Sequence, residues 1–160
     1  VSDGAEERRG RLFPGLDATE VYPNLFIGAG PRPGAVPSEA IDVLVLTAAE
    51  YQPEDDEFPG VEVWRAKLYD EKDKPLDLKA INAAVKTGQK VAKALSAGKT
   101  VLVTCRSGLN RSAFVVAVAL MTLTRTGAGD VVEYLREKRG DDVLSESDQW
   151  EQVLERFTSS

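Results

Sequence analysis

The hydrophobic pattern of the chain changes period several times. Short apolar runs dominate up to Leu68, a helical period begins at Leu78, one further apolar run returns near residue 100, and the spacing is helical from Arg111 onward. Residues 1–18 are polar, contain glycine and have no period, which predicts a loosely ordered arm ahead of a single domain at residues 19–160. Val21 to Gly28, Ile41 to Thr47 and Val61 to Leu68 predict buried strands, with a short helical turn at Pro37 to Ala40 and a Pro59-Gly60 break before the third strand. Leu78, Ile81, Val85, Val91 and Leu95 recur at helical spacing behind Asp77, a candidate N-cap, and Gly98 stops the run. Thr100 to Thr104 predicts a fourth strand. From Arg111 to Thr124 nearly every face is apolar, as expected of a buried central helix.

Two further helices complete the pattern. Asp130 is a candidate cap for a helix through Val131, Val132 and Leu135 that ends at Lys138-Arg139-Gly140. Ser145 or Ser147 is placed to start the last one, where Trp150, Val153, Leu154 and Phe157 share a face, so Trp150 is expected in the core. Strands early, a crossover helix and then helices predict an α/β domain with a mostly parallel central sheet flanked by helices. A loop after the fourth strand would lie at the carboxyl end of a strand, where such sheets bind ligands.

Composition narrows the chemistry. With 160 residues, 42% hydrophobic and 29% charged, the chain is long enough for one full core. No apolar run approaches the roughly 20 residues that span a bilayer, and Glu6, Glu7, Arg8 and Arg9 do not resemble a signal-peptide core, so a cytoplasmic protein is expected. One cysteine and no histidine leave no internal disulfide and no zinc-ligand set, and neither metal nor cofactor is expected. A net charge of −6 argues against nucleic acid or an anionic membrane as partner. The acidic run Glu54-Asp55-Asp56-Glu57 is expected to be a solvated loop.

The densest chemical signal is the run Val101-Leu102-Val103-Thr104-Cys105-Arg106-Ser107-Gly108-Leu109-Asn110-Arg111-Ser112. A β-branched strand ends at the sole cysteine and a helix begins near an arginine, so the backbone N–H groups of residues 106–110 can converge on one anion. A thiolate at the floor of that cradle would be favoured by the helix N-terminus and the inward amides. Gly108 would let the backbone turn an N–H inward, and Arg111 offers a planar fork to two phosphate oxygens.

Cys105-x-x-Gly108-x-x-Arg111-Ser112 resembles the phosphate-binding loop of the cysteine-dependent protein tyrosine phosphatase superfamily, and the chain length is similar to its small dual-specificity branch. The resemblance runs from about Val21 to Phe157, although only the loop is specific. It implies a phosphatase-like α/β fold and a two-step reaction through a cysteinyl-phosphate. It also implies that Ser112 donates to the cysteine sulfur, where the residues alone would also allow a helix cap. The family's general acid is an aspartate in the loop before the crossover helix, here Tyr69-Asp70-Glu71-Lys72-Asp73-Lys74-Pro75. Asp70 matches best, and Asp73 is the alternate because the loop is slightly long.

The sequence departs from the family at Thr104, where histidine is usual; this threonine either bonds locally in its place or only fills the strand. Arg106 either widens the attraction for phosphate or is an ordinary surface arginine. Asn110 either braces the loop through its amide or has no consequence. The resemblance implies a phosphorylated protein as partner, carrying phosphotyrosine and also phosphoserine or phosphothreonine. The alternatives are a phosphoinositide phosphatase, an RNA 5′-triphosphatase, which shares an asparagine before the arginine, and a phosphate-binding pseudophosphatase that does not turn over.

Overall fold

A computed structural model describes residues 16–69, 77–145 and 148–158. Its strands are β1 Thr19–Tyr22, β2 Leu25–Ala29, β3 Val43–Ala48, β4 Glu62–Leu68 and β5 Val101–Cys105. Its helices are α1 Leu78–Ser96, α2 Arg111–Thr124, α3 Ala128–Arg139 and α4 Asp148–Thr158, and a 3₁₀ turn covers Asp55–Glu57. The sheet order is β1-β2-β5-β3-β4, parallel throughout except for the antiparallel edge pair β1–β2.

The strand sequences alternate between two buried faces. Leu25, Ile27, Val43, Val45, Val101 and Val103 join the larger core cluster, to which all four helices contribute. Phe26, Leu44, Leu46 and Leu102 point to the other face and pack with Val36, Ile41, Phe58 and Val61. A sheet covered on both sides needs apolar residues at every strand position, which is why these runs are continuously hydrophobic. The chain passes from β2 to β3 leaving a gap that β5 later fills, with Cα partners on both sides from Val101 to Thr104. Cys105 therefore ends the central strand. Helix α2, buried along almost its whole length, holds the other end of the loop.

Several expected boundaries moved. Val21 to Gly28 is not one strand: it is a hairpin turning at Pro23-Asn24, with Asn24 in the left-handed region at φ 68°. Asparagine tolerates that conformation, and the flanking apolar residues concealed the turn. Helix α3 begins at Ala128 behind Gly127, so Asp130 lies in its first turn and does not cap it; a carboxylate is favoured at either place. Ser145 closes a turn through its hydroxyl on the Asp142 carbonyl, 2.7 Å, while Ser147 lies outside the described residues. Leu78 is 73% exposed rather than on the packed face. The expected Asp77 cap is present, its carboxylate accepting from Lys79 N at 3.0 Å. Trp150 is buried against Phe114, with ring centroids 5.4 Å apart.

Candidate active site

The loop from Cys105 to Arg111 folds around the sulfur. Ser112 Oγ lies 3.2 Å from Cys105 Sγ, and the Gly108 backbone N–H donates to the same sulfur at 3.2 Å. Burial pushes the thiol up, but the Ser112 hydroxyl and the N–H groups of Ser112, Gly108 and Asn110 outweigh it and hold the group below its ordinary value. Hydrogen bonds to a charged form stabilise that form. Gly108 sits at φ +74°, and a Cβ there would come within 2.7 Å of the Gly28 carbonyl, so the turn that aims its N–H at sulfur requires glycine.

Asn110 precedes α2 as its N-cap position without capping it by its side chain, and its carbonyl accepts from Phe114 N at 2.9 Å. Ser112 lies inside the helix, not at its cap, so its hydroxyl is available to the sulfur. Leu109 is anchored from behind, its carbonyl accepting from Leu144 N at 2.8 Å. Arg106 and Ser107 are exposed at the loop's outer edge.

Arg111 is only 4% exposed. Its Nη1 donates to Glu50 Oε1 and to the Leu68 carbonyl at 3.1 Å, and its Nη2 donates to Glu50 Oε2 at 2.8 Å. The guanidinium bonded to Glu50 holds that carboxyl down at about 2, against a smaller upward push from burial and with Arg106 adding a weaker pull. Glu50 stands in the loop after β3, beside the end of β5. The sequence reading did not single it out, and its only signal was position at the carboxyl edge of a central strand.

Thr104 does more than fill the strand. Its buried hydroxyl donates to the Val45 carbonyl at 3.1 Å, and its carbonyl accepts from Thr47 Oγ1 at 2.8 Å. Two threonines thus lock the end of β5 to β3 at the position where the family usually has histidine. Nearby, Gln52 donates to the Ala48 carbonyl at 2.9 Å and accepts from Arg65, which also pairs with Asp55. Glu54, Asp55 and Asp56 of the acidic run are exposed, as expected, whereas Glu57 is half-buried. Asp70 and Asp73, the two candidates for the general acid, both lie outside the described residues.

The arrangement can bind a tetrahedral anion over a thiolate that is stabilised by hydrogen bonds, with an arginine whose terminal nitrogens are already anchored. Residues 45–159 match the family model of the dual specificity phosphatase catalytic domain. No curated protein sequence matches the chain. The fold is similar to that of Tk-PTP in its active form, at 21% identity over 89% of this chain and 97% of that one, with a TM-score of 0.75. It is similar as well to DUSP15, at 21% identity over 90% and 88% with a TM-score of 0.69. PTPMT1 in complex with PI(5)P aligns at 21% identity over 89% and 94%, with a TM-score of 0.70. The loop sequence, the fold around it and the family match agree: the chain belongs to the dual specificity phosphatase family, within the cysteine-dependent protein tyrosine phosphatase superfamily, and is a cysteine-based phosphatase.

Proposed function

We propose that the chain hydrolyses phosphomonoesters in proteins, phosphotyrosine first and phosphoserine or phosphothreonine as well, through a cysteinyl-phosphate. The observation that carries the reaction is the sulfur held at 3.2 Å by both the Ser112 hydroxyl and the Gly108 amide. The Cys105 thiolate attacks phosphorus, an S–P bond forms, and the P–O bond to the leaving group breaks. The departing oxygen takes a proton from Asp70, with Asp73 as alternate, because an alkoxide or phenoxide is a poor leaving group without one. Water then attacks phosphorus and gives its proton to the same carboxylate. The S–P bond breaks, and the Ser112 hydroxyl donates to the thiolate as it leaves. Arg111 and the loop amides hold the phosphoryl oxygens in both steps.

The protein substrate is supported by the loop's composition. Positions 106–110 carry a single cation, Arg106, and no lysine, and the chain carries a net charge of −6. A densely anionic lipid headgroup or RNA end has little to pair with there. A second reading, phosphoinositide hydrolysis, is supported by the structural likeness to PTPMT1, whose structure in complex with PI(5)P is among the similar folds. Initial rates on a phosphotyrosine peptide, a phosphoserine peptide, a phosphoinositide in micelles and a 5′-triphosphate RNA separate these readings. The proposal requires the highest kcat/KM on phosphotyrosine peptide; a higher value on the phosphoinositide would replace it with the second reading. Turnover is expected to be unaffected by EDTA.

A further inference from the structure

The peptide between Ser107 and Gly108 is gripped at both ends. Its N–H, on Gly108, donates to Cys105 Sγ at 3.2 Å, and its C=O, on Ser107, accepts from Arg139 Nη2 at 3.0 Å. A peptide unit is planar, with C=O and N–H pointing in opposite directions, so fixing one end fixes the other. We infer that Arg139, at the last position of α3, is a positioning residue for the nucleophile: it holds the Ser107 carbonyl outward and thereby keeps the Gly108 N–H facing the sulfur. The inference rests on Cys105 being the reactive thiol.

Arg139 is itself held. Nη1 donates to Asp17 Oδ1 at 2.6 Å and to Thr19 Oγ1 at 2.9 Å, and Nη2 donates to Asp17 Oδ2 at 2.8 Å. Its side chain is 9% exposed. A two-pronged carboxylate contact fixes the plane of the guanidinium, which a single point contact would not. Asp17 is placed by the sheet: a Cβ on Gly28 would sit 1.8 Å from the Asp17 carbonyl oxygen, so the segment before β1 runs directly over Gly28. Gly28 is the register partner of Thr104, one residue before the nucleophile. The segment preceding β1, the end of α3 and the loop therefore meet at one peptide.

Two consequences follow from a cation on that carbonyl. It strengthens the N–H on the far side as a donor, since hydrogen bonds in series polarise one another. It also resists the alternative in which the peptide turns over and presents its carbonyl to the sulfur. Glycine at φ +74° makes that rotation accessible, because no Cβ restricts it. Among the described residues, the charged groups in and beside the loop include Arg106 and Arg111 with Glu50, and Arg139 with Asp17. A basic residue at a helix C-terminus also favours the helix dipole. That role alone would alter stability and leave the sulfur untouched.

The test is the pH dependence of Cys105 alkylation by iodoacetamide, with quantitation by intact mass. Cys105 is the sole cysteine, so the reaction reports one site. Arg139→Met is expected to raise the alkylation midpoint by about one pH unit, as when a hydrogen bond to the charged form weakens. Asp17→Asn is expected to raise it less, and Arg139→Lys to fall between wild type and Arg139→Met. Should Arg139→Met fail to fold, Arg139→Lys and Asp17→Asn decide the question. Midpoints equal to wild type in the folded variants would overturn the inference. Alkylation needs no phosphorylated substrate, so the two claims separate. A wild type without phosphatase turnover but with an Arg139-dependent midpoint refutes the proposed function and keeps the positioning role. Full turnover with unshifted midpoints does the reverse.

Discussion

Two arginine–carboxylate pairs flank the phosphate loop, and their likeness makes their difference informative. Arg111–Glu50 and Arg139–Asp17 each bury a guanidinium, 5% and 9% exposed, against a carboxylate that is about half open, 45% and 49%. Each carboxylate engages both terminal nitrogens of its arginine. The two arginines then diverge in what they serve. Arg111 is the proposed ligand of the phosphoryl group, and Glu50 engages both of its terminal nitrogens. Arg139 holds a backbone carbonyl on the outer side of the loop. The same chemical fork thus works once on the substrate side and once on the scaffold side, and the loop between them is fixed from both.

The largest effect that separates the two pairs is expected at Arg111. Arg111→Lys should lower kcat/KM on an aryl phosphate by about 10²–10³-fold, close to the loss from Arg111→Ala, because a point charge cannot reproduce paired hydrogen bonds to a transferring phosphoryl group. Near-native kcat/KM in the lysine variant would show that charge alone matters on the substrate side. Asp70→Asn, at the proposed general acid, should slow phosphotyrosine turnover by about 10²–10⁴-fold and a nitrophenyl phosphate much less, since nitrophenolate leaves without a proton. Equal losses on both esters would assign Asp70 a role in loop folding, and a selective loss in Asp73→Asn would move the acid there.

Glu50→Gln sharpens the comparison at a smaller scale. If the carboxylate orients Arg111, the variant should lose up to about a hundredfold in kcat/KM, as when a group at the reacting centre is misplaced. A gain in kcat/KM would show instead that Glu50 competes with phosphate for the same nitrogens. The smallest effect is on stability. Glu50 titrates at about 2 in the folded chain against an ordinary 4.5, so its contribution is fully present above pH 4.5 and is lost as pH falls toward 2. Half of the carboxylate is in water, which limits the gain to about 1 kcal/mol or less. The melting-temperature gap between wild type and Glu50→Gln should therefore narrow between pH 6 and pH 3; a gap independent of pH would mean that the pair adds nothing to folding.

The same two pairs mark how far the sequence could be read. Arg111 was legible because strand, cysteine, glycine and helix start all fall within a dozen residues, where periodicity and turn chemistry act. Glu50 and Asp17 lie 61 and 122 residues from their arginines, and nothing local distinguishes them from other surface carboxylates. Arg139 was read only as the basic end of α3, which it also is. The parallel sheet followed from continuous apolar runs such as Val43 to Leu46, but the β1–β2 hairpin did not, since Pro23-Asn24 is a two-residue turn between apolar flanks. Thr104 illustrates the limit from the other side: its chemistry could be named from the sequence, but choosing between its two roles needed the Val45 carbonyl beside it.

The most direct test of the central claim is a rapid-quench mass measurement of the enzyme during turnover of an aryl phosphate, with EDTA present. One phosphoryl group is expected on the peptide that carries Cys105, absent in Cys105→Ser, together with loss of turnover in that variant. Steady turnover with no label on Cys105, or a Cys105→Ser enzyme that keeps even about a tenth of the wild-type rate where a missing nucleophile should cost far more, would contradict it.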